Sequence, residues 1–106
     1  MATPFYVTPD TYEGKRLPQA EFDAALNYLR SRGFEYHPKE ECWGGDLDRV
    51  MDEVPEGLNV ATYLRQKSIR LAVPEYCTLT QIERYAYAIK GNTQDPRWNE
   101  YLEQRK

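Results

Sequence analysis

The stretch from Leu26 to Asp46, LNYLRSRGFEYHPKEECWGGD, constrains the fold more than any other part of the chain, because its apolar period changes within a few residues. Upstream, Phe22, Ala25, Leu26 and Leu29 recur at helical spacing. Gly33 then supplies the left-handed residue that ends a helix, Phe34 and Tyr36 alternate as strand residues do, His37-Pro38-Lys39 turns the chain, and Trp43 returns on a second strand. A helix from Pro18 to Gly33, with Pro18 as its first residue, running straight into a hairpin over 34–43 is the local expectation.

The flanking segments are read from the same signals. Phe5-Tyr6-Val7, bounded by Pro4 and Pro9, predicts a short strand, and residues 8–17 a loop. Gly44-Gly45 predicts a flexible exit from the hairpin into a short acidic helix, Leu47 to Glu53, capped by Asp46 and stopped by Pro55. Val60, Tyr63 and Leu64 fit a helix from Asn59 to about Lys67, and Ile69, Leu71 and Val73 alternate as a strand. Thr78 with Gln81, or Thr80 with Glu83, offers a capping box before Ile82, Tyr85, Ala86 and Ile89, a helix ending at Gly91. Asp95-Pro96 then starts a last helix with Trp98, Tyr101 and Leu102 on one face.

Together these predict one α+β domain over residues 1–106: a small antiparallel sheet, built from the 34–43 hairpin plus a further strand from Phe5–Val7 or Ile69–Val73, packed by three or more helices. The expected core is Phe22, Leu26, Leu29, Phe34, Tyr36, Trp43, Ile82, Tyr85, Ile89 and Trp98. Charged residues at 29% against 41% hydrophobic place the chain among folded rather than disordered sequences. Nine tyrosines, three phenylalanines and two tryptophans make that core aromatic-heavy. The first ten residues lack a basic segment followed by an apolar one, and no stretch approaches membrane-spanning length, so the expectation is a cytoplasmic protein without membrane contact. In that compartment Cys42 and Cys77 are expected as free thiols.

A helix ending in Gly33-Phe34, an alternating Tyr36, a Pro38-Lys39 turn and a returning Trp43 resembles a small module of phage- and plasmid-encoded proteins, and more loosely the accessory domains of DNA-processing enzymes. The resemblance covers residues 26–43. It implies an accessory role in a mobile element. The chain departs from the pattern at Gly44-Gly45-Asp46, where the second strand of the module would continue.

Catalytic and metal chemistry find little footing. Cys42 and His37, on facing strands of the expected hairpin, are close enough in sequence to be weighed as a thiol–imidazole pair, but Glu40 and Glu41 beside the thiol oppose its ionisation, and a small apolar thiol and a turn imidazole account for both residues. One histidine and two distant cysteines give no zinc spacing, and Asp46, Asp48 and Asp52 lack the glycine and terminal glutamate of a calcium loop. No cofactor, no metal and no catalytic residue are therefore expected, and the chain is read as a non-enzyme.

Charge is more informative. The chain carries a net charge of -3, yet residues 40–56 hold seven acids (Glu40, Glu41, Asp46, Asp48, Asp52, Glu53 and Glu56) against one base, while residues 57–106 hold eight bases against five acids. With Tyr36 and Trp43, those acids form a candidate docking face for a protein with a basic groove, such as a nucleic-acid-binding enzyme. The expected function is a small phage- or mobile-element inhibitor acting stoichiometrically, of the anti-CRISPR or anti-restriction type. The alternative is direct nucleic-acid binding through Tyr63, Arg65, Lys67 and Arg70, which an overall acidic chain disfavours.

Overall fold

A computed structural model describes residues 4–9, 16–72 and 85–105 of the chain. The fold is α+β. Its strands are β1 (Pro4–Pro9), β2 (Glu35–His37), β3 (Cys42–Asp46) and β4 (Ile69–Leu71), and its helices α1 (Gln19–Ser31), α2 (Leu47–Met51), α3 (Val60–Arg65) and α4 (Pro96–Arg105). The strands form one antiparallel sheet in the order β2-β3-β1-β4.

The predicted Phe5–Val7 strand and the Ile69 strand both join the sheet, where only one further strand was expected. Prolines close both ends of β1, which suits residues that cannot donate to a continuing ladder. Phe5 and Val7 are fully buried while Tyr6 and Thr8 between and after them are half-buried, the alternation of a strand with one face on a core.

The hairpin differs from expectation at its exit. Gly44 and Gly45 do not loosen the chain; they lie inside β3, with Gly44 opposite Tyr6 and Glu35, and Gly45 opposite Phe5. Both are strand residues because rings lie across them. A Cβ on Gly45 would fall 2.6 Å from Phe34 Cγ, and one on Gly44 would fall 2.7 Å from His37 Nε2 and 2.9 Å from Tyr6 Cε1. The missing side chains are the space the rings occupy.

Helix boundaries follow the expected caps with small shifts. Pro18 is the residue before α1, with ψ 145°, rather than its first helical residue. Gly33 follows α1 at φ +79°, and the amide of Phe34 returns to the carbonyl of Leu29 at 3.0 Å. The Asp46 carboxylate accepts from the Asp48 amide at 3.0 Å, and α2 ends at Met51, short of Glu53. Asn59 caps α3 by accepting from the Thr62 amide at 2.8 Å. Asp95 accepts from the Arg97 amide at 2.9 Å and from the Ile89 amide at 3.0 Å, tying the approach to α4 to its first turn. The Thr78 and Thr80 boxes, Ile82, Val73 and Cys77 lie outside the described residues.

Leu29, Phe34, Trp43, Tyr85 and Trp98 take core positions, Leu26 packs half-buried against them, and Ile89 is half-buried. Phe22 and Tyr36 do not join them: they are 39% and 50% exposed. Residues 22 and 29 share a helix face but stand roughly 10 Å apart along the axis, so periodicity assigns the face without saying how far the surface beneath it extends. The larger side chains that complete the core include Phe5, Val7, Leu47, Val50, Met51, Val60, Leu64, Ile69 and Tyr101.

Candidate functional site

Strand register sorts the candidate residues onto two sheet faces, since residues directly opposite one another share a face. Tyr36, Trp43 and Val7 form one cross-strand row on the helix-covered side. Within it the Tyr36 ring lies 5.4 Å from the Trp43 ring at 49°, and the Arg30 guanidinium of α1 sits 5.6 Å from the Trp43 ring centroid. Trp43 is 8% exposed, held between α1 and the strand; Tyr36, on the outermost strand, is left open. The result is an aromatic ledge with an exposed tyrosine on a buried tryptophan and an exposed arginine at its side.

Glu40 and Glu41 form the hairpin tip next to this ledge, with Glu41 exposed at φ 53°. The other five acids are not part of that surface. β3 separates the tip from α2 by five residues, roughly 15 Å of strand. Asp46 is spent on capping α2. Asp48 accepts a hydrogen bond from the hydroxyl of Tyr101, which is fully buried. Asp52 is the exposed C-terminal cap of α2, and Glu56 is exposed beside Gly91. The acids that look continuous in sequence thus occupy the two ends of a strand.

Glu53 has the most partners. It receives Arg32 through both carboxylate oxygens and the Tyr28 hydroxyl at 3.0 Å. The Arg32 hydrogen bonds, the largest influence, hold its carboxyl below the usual carboxylate range against the opposing effect of burial. Tyr28 moves the other way: burial first, then the bond to Glu53, pushes its hydroxyl up, so it remains a donor. Arg32 also lies 4.4 Å from the Tyr28 ring centroid.

This cluster absorbs half of the basic-aromatic segment. Lys67 Nζ stands 5.1 Å from the Tyr28 ring and 4.9 Å from the Tyr63 ring, a cation held between two aromatic faces with Glu53 nearby. Both Tyr63 and Lys67 are half-buried. Arg65, in the last turn of α3, and Arg70, opposite Thr8 on β4, are exposed. Tyr28 had no signal in the sequence beyond its spacing to Arg32. Its partners Glu53 and Lys67 lie 25 and 39 residues away, distances that only the folded chain closes.

On the opposite sheet face, His37 pairs directly with Cys42. The imidazole leans over Gly44 toward Tyr6, ring centroids 6.2 Å apart, and the thiol is 1% exposed, which closes it to a substrate. Among the described residues no group of three or more His, Cys, Asp or Glu side chains converges in a way that would hold a metal ion, and no helix is long and apolar enough to cross a membrane. Comparison with protein-family models, with curated proteins and with solved structures found no match.

Proposed function

We propose that this chain is a stoichiometric protein-binding module with no catalytic step of its own, docking its partner on the ledge of Tyr36, Trp43 and Arg30 with Glu40 and Glu41 at its tip. The observation that carries the reading is Tyr36: a large aromatic, half exposed, in tilted ring contact with a nearly buried tryptophan at the outer strand of the described sheet. Tyrosine, tryptophan and arginine are the side chains that most often concentrate binding energy, and a ring already held by its neighbour loses little freedom on docking. The tip acids steer a basic partner toward the ledge. The finer reading, a phage- or plasmid-borne inhibitor that occupies the basic nucleic-acid groove of a host defence enzyme in the anti-CRISPR or anti-restriction manner, rests on the module resemblance of residues 26–43 and on those acids.

Direct nucleic-acid binding is the second reading, favoured only by the exposed Arg65 and Arg70, because Tyr63 and Lys67 are engaged with Tyr28. Capture from bacterial lysate with and without nuclease separates the two. A nuclease-resistant partner lost with Tyr36→Ala, and with Glu40→Lys plus Glu41→Lys, is the expected result. A partner retained by both variants refutes the ledge. Capture that collapses on nuclease treatment and disappears with Arg65→Ala plus Arg70→Ala replaces it with the second reading.

A further inference from the structure

Among the described residues, the strand order β2-β3-β1-β4 leaves two outer edges, each three residues long. An edge strand turns a row of backbone N–H and C=O groups outward, ready to pair with another strand. When an antiparallel edge pairs with its own copy about a two-fold axis, each residue meets a fixed opposite number, and the strand's own sequence decides whether it attracts or repels itself. The two edges of this sheet differ on that test. β4 reads Ile69-Arg70-Leu71, and pairing centred on Arg70 sets one guanidinium against another. β2 reads Glu35-Tyr36-His37, and pairing centred on Tyr36 sets a carboxylate opposite an imidazole twice and a tyrosine opposite a tyrosine.

We propose that the outer edge of β2 pairs with β2 of a second copy of this chain, in the antiparallel register centred on Tyr36. Among the described residues β2 pairs only with β3, Glu35 and Tyr36 are exposed, and His37 is half-buried. The backbone agrees with the side chains. Amide groups alternate in direction along a strand, so a register centred on one residue always sets outward-facing amides against outward-facing amides. Glu35 and His37 share the sheet face opposite the ledge, where an imidazole N–H donates to the facing carboxylate. Pro38 has no N–H and stops the ladder after three residues, which makes the dimer reversible rather than obligate.

The pairing joins two four-stranded sheets into one of eight strands. Because opposite residues share a face, it also places both Tyr36 rings side by side between their two tryptophans, one aromatic row from two ledges. The proposal does not depend on the partner reading above, and it is tested without any partner.

Sedimentation equilibrium on the full chain from micromolar to millimolar concentration is the experiment. The wild type is expected to dimerise with concentration, and Glu35→Lys and His37→Glu each to weaken self-association by roughly tenfold or more, since the first removes both carboxylate acceptors facing the imidazoles and the second sets carboxylate against carboxylate twice. An equimolar mixture of the two variants restores the dimer, because Lys at 35 then faces Glu at 37 and His37 faces Glu35. Tyr36→Lys mixed with Tyr36→Glu repeats the logic at a position that leaves His37 and Gly44 untouched. A wild type that stays monomeric to millimolar concentration, a dimer indifferent to these changes, or a Tyr36→Lys and Tyr36→Glu mixture that stays monomeric overturns the proposal.

Discussion

Replacing Gly45 with alanine tests the packing that builds the hairpin. The added Cβ would stand 2.6 Å from Phe34 Cγ and 2.7 Å from both Cδ atoms, inside the separation that carbon atoms tolerate. Phe34 is 4% exposed, so its ring has no empty space to swing into, and Gly45 itself is paired with Phe5 in the middle of the sheet. Overpacking of this kind costs about 1–3 kcal/mol, and the rigid neighbours place Gly45→Ala at the upper end. For a domain of 106 residues that corresponds to a fall of roughly 10 °C in Tm. Gly44→Ala meets His37 and Tyr6, rings that are half-buried and able to tilt, and loses less. Thermal unfolding followed by near-ultraviolet circular dichroism measures both. The cycle with Phe34→Leu closes the argument: once the ring is gone, Gly45→Ala should cost little, giving a coupling of about 2–3 kcal/mol. A Gly45→Ala variant as stable as wild type, or a cost unchanged in the Phe34→Leu background, refutes the reasoning.

Tyr101→Phe removes the buried hydroxyl that donates to Asp48 and is expected to cost about 1 kcal/mol in urea unfolding; an unchanged midpoint would mean the bond contributes nothing net. Asp95 is buried, and its carboxyl is held below the usual range chiefly by the Ile89 amide, with Arg97 adding to it against the effect of burial. A depressed folded pKa stabilises above the unfolded value of about 3.9 and is lost as pH falls through the folded value. Asp95→Asn should therefore lose about 1–2 kcal/mol at pH 7, with the gap to wild type closing below about pH 4; a gap independent of pH would show that the charge itself is not involved.

Local signals carried most of the elements. Gly33, Asp46, Asn59 and Asp95 act as the stop and caps their chemistry suggests, because a cap satisfies amides within three residues of itself. Gly44 and Gly45 misled for a specific reason: glycine reads as a break when only its neighbours in sequence are considered, whereas its use here is to admit rings from Phe34, His37 and Tyr6. Tyr36 and Trp43, expected on the two strands of one hairpin, are direct cross-strand partners, with Trp43 buried and Tyr36 exposed. The seven acids were not separable by sequence. Nothing local distinguishes Glu53, bound by Arg32 and Tyr28, from Glu41 at an open turn.

The sequence by itself determined the α+β class, the α1-to-hairpin passage, the capped helix starts and the aromatic pair at positions 36 and 43, all of which depend on period, turn chemistry and contacts within a few residues. Tertiary structure alone decided that β1 lies between β3 and β4, that Phe22 and Tyr36 stay open while Phe5 and Tyr101 are buried, and that Lys67 closes on Tyr28 instead of facing solvent. Those outcomes depend on which surfaces meet across tens of residues. Burial and charge pairing are properties of such meetings, and no window of neighbouring residues contains them.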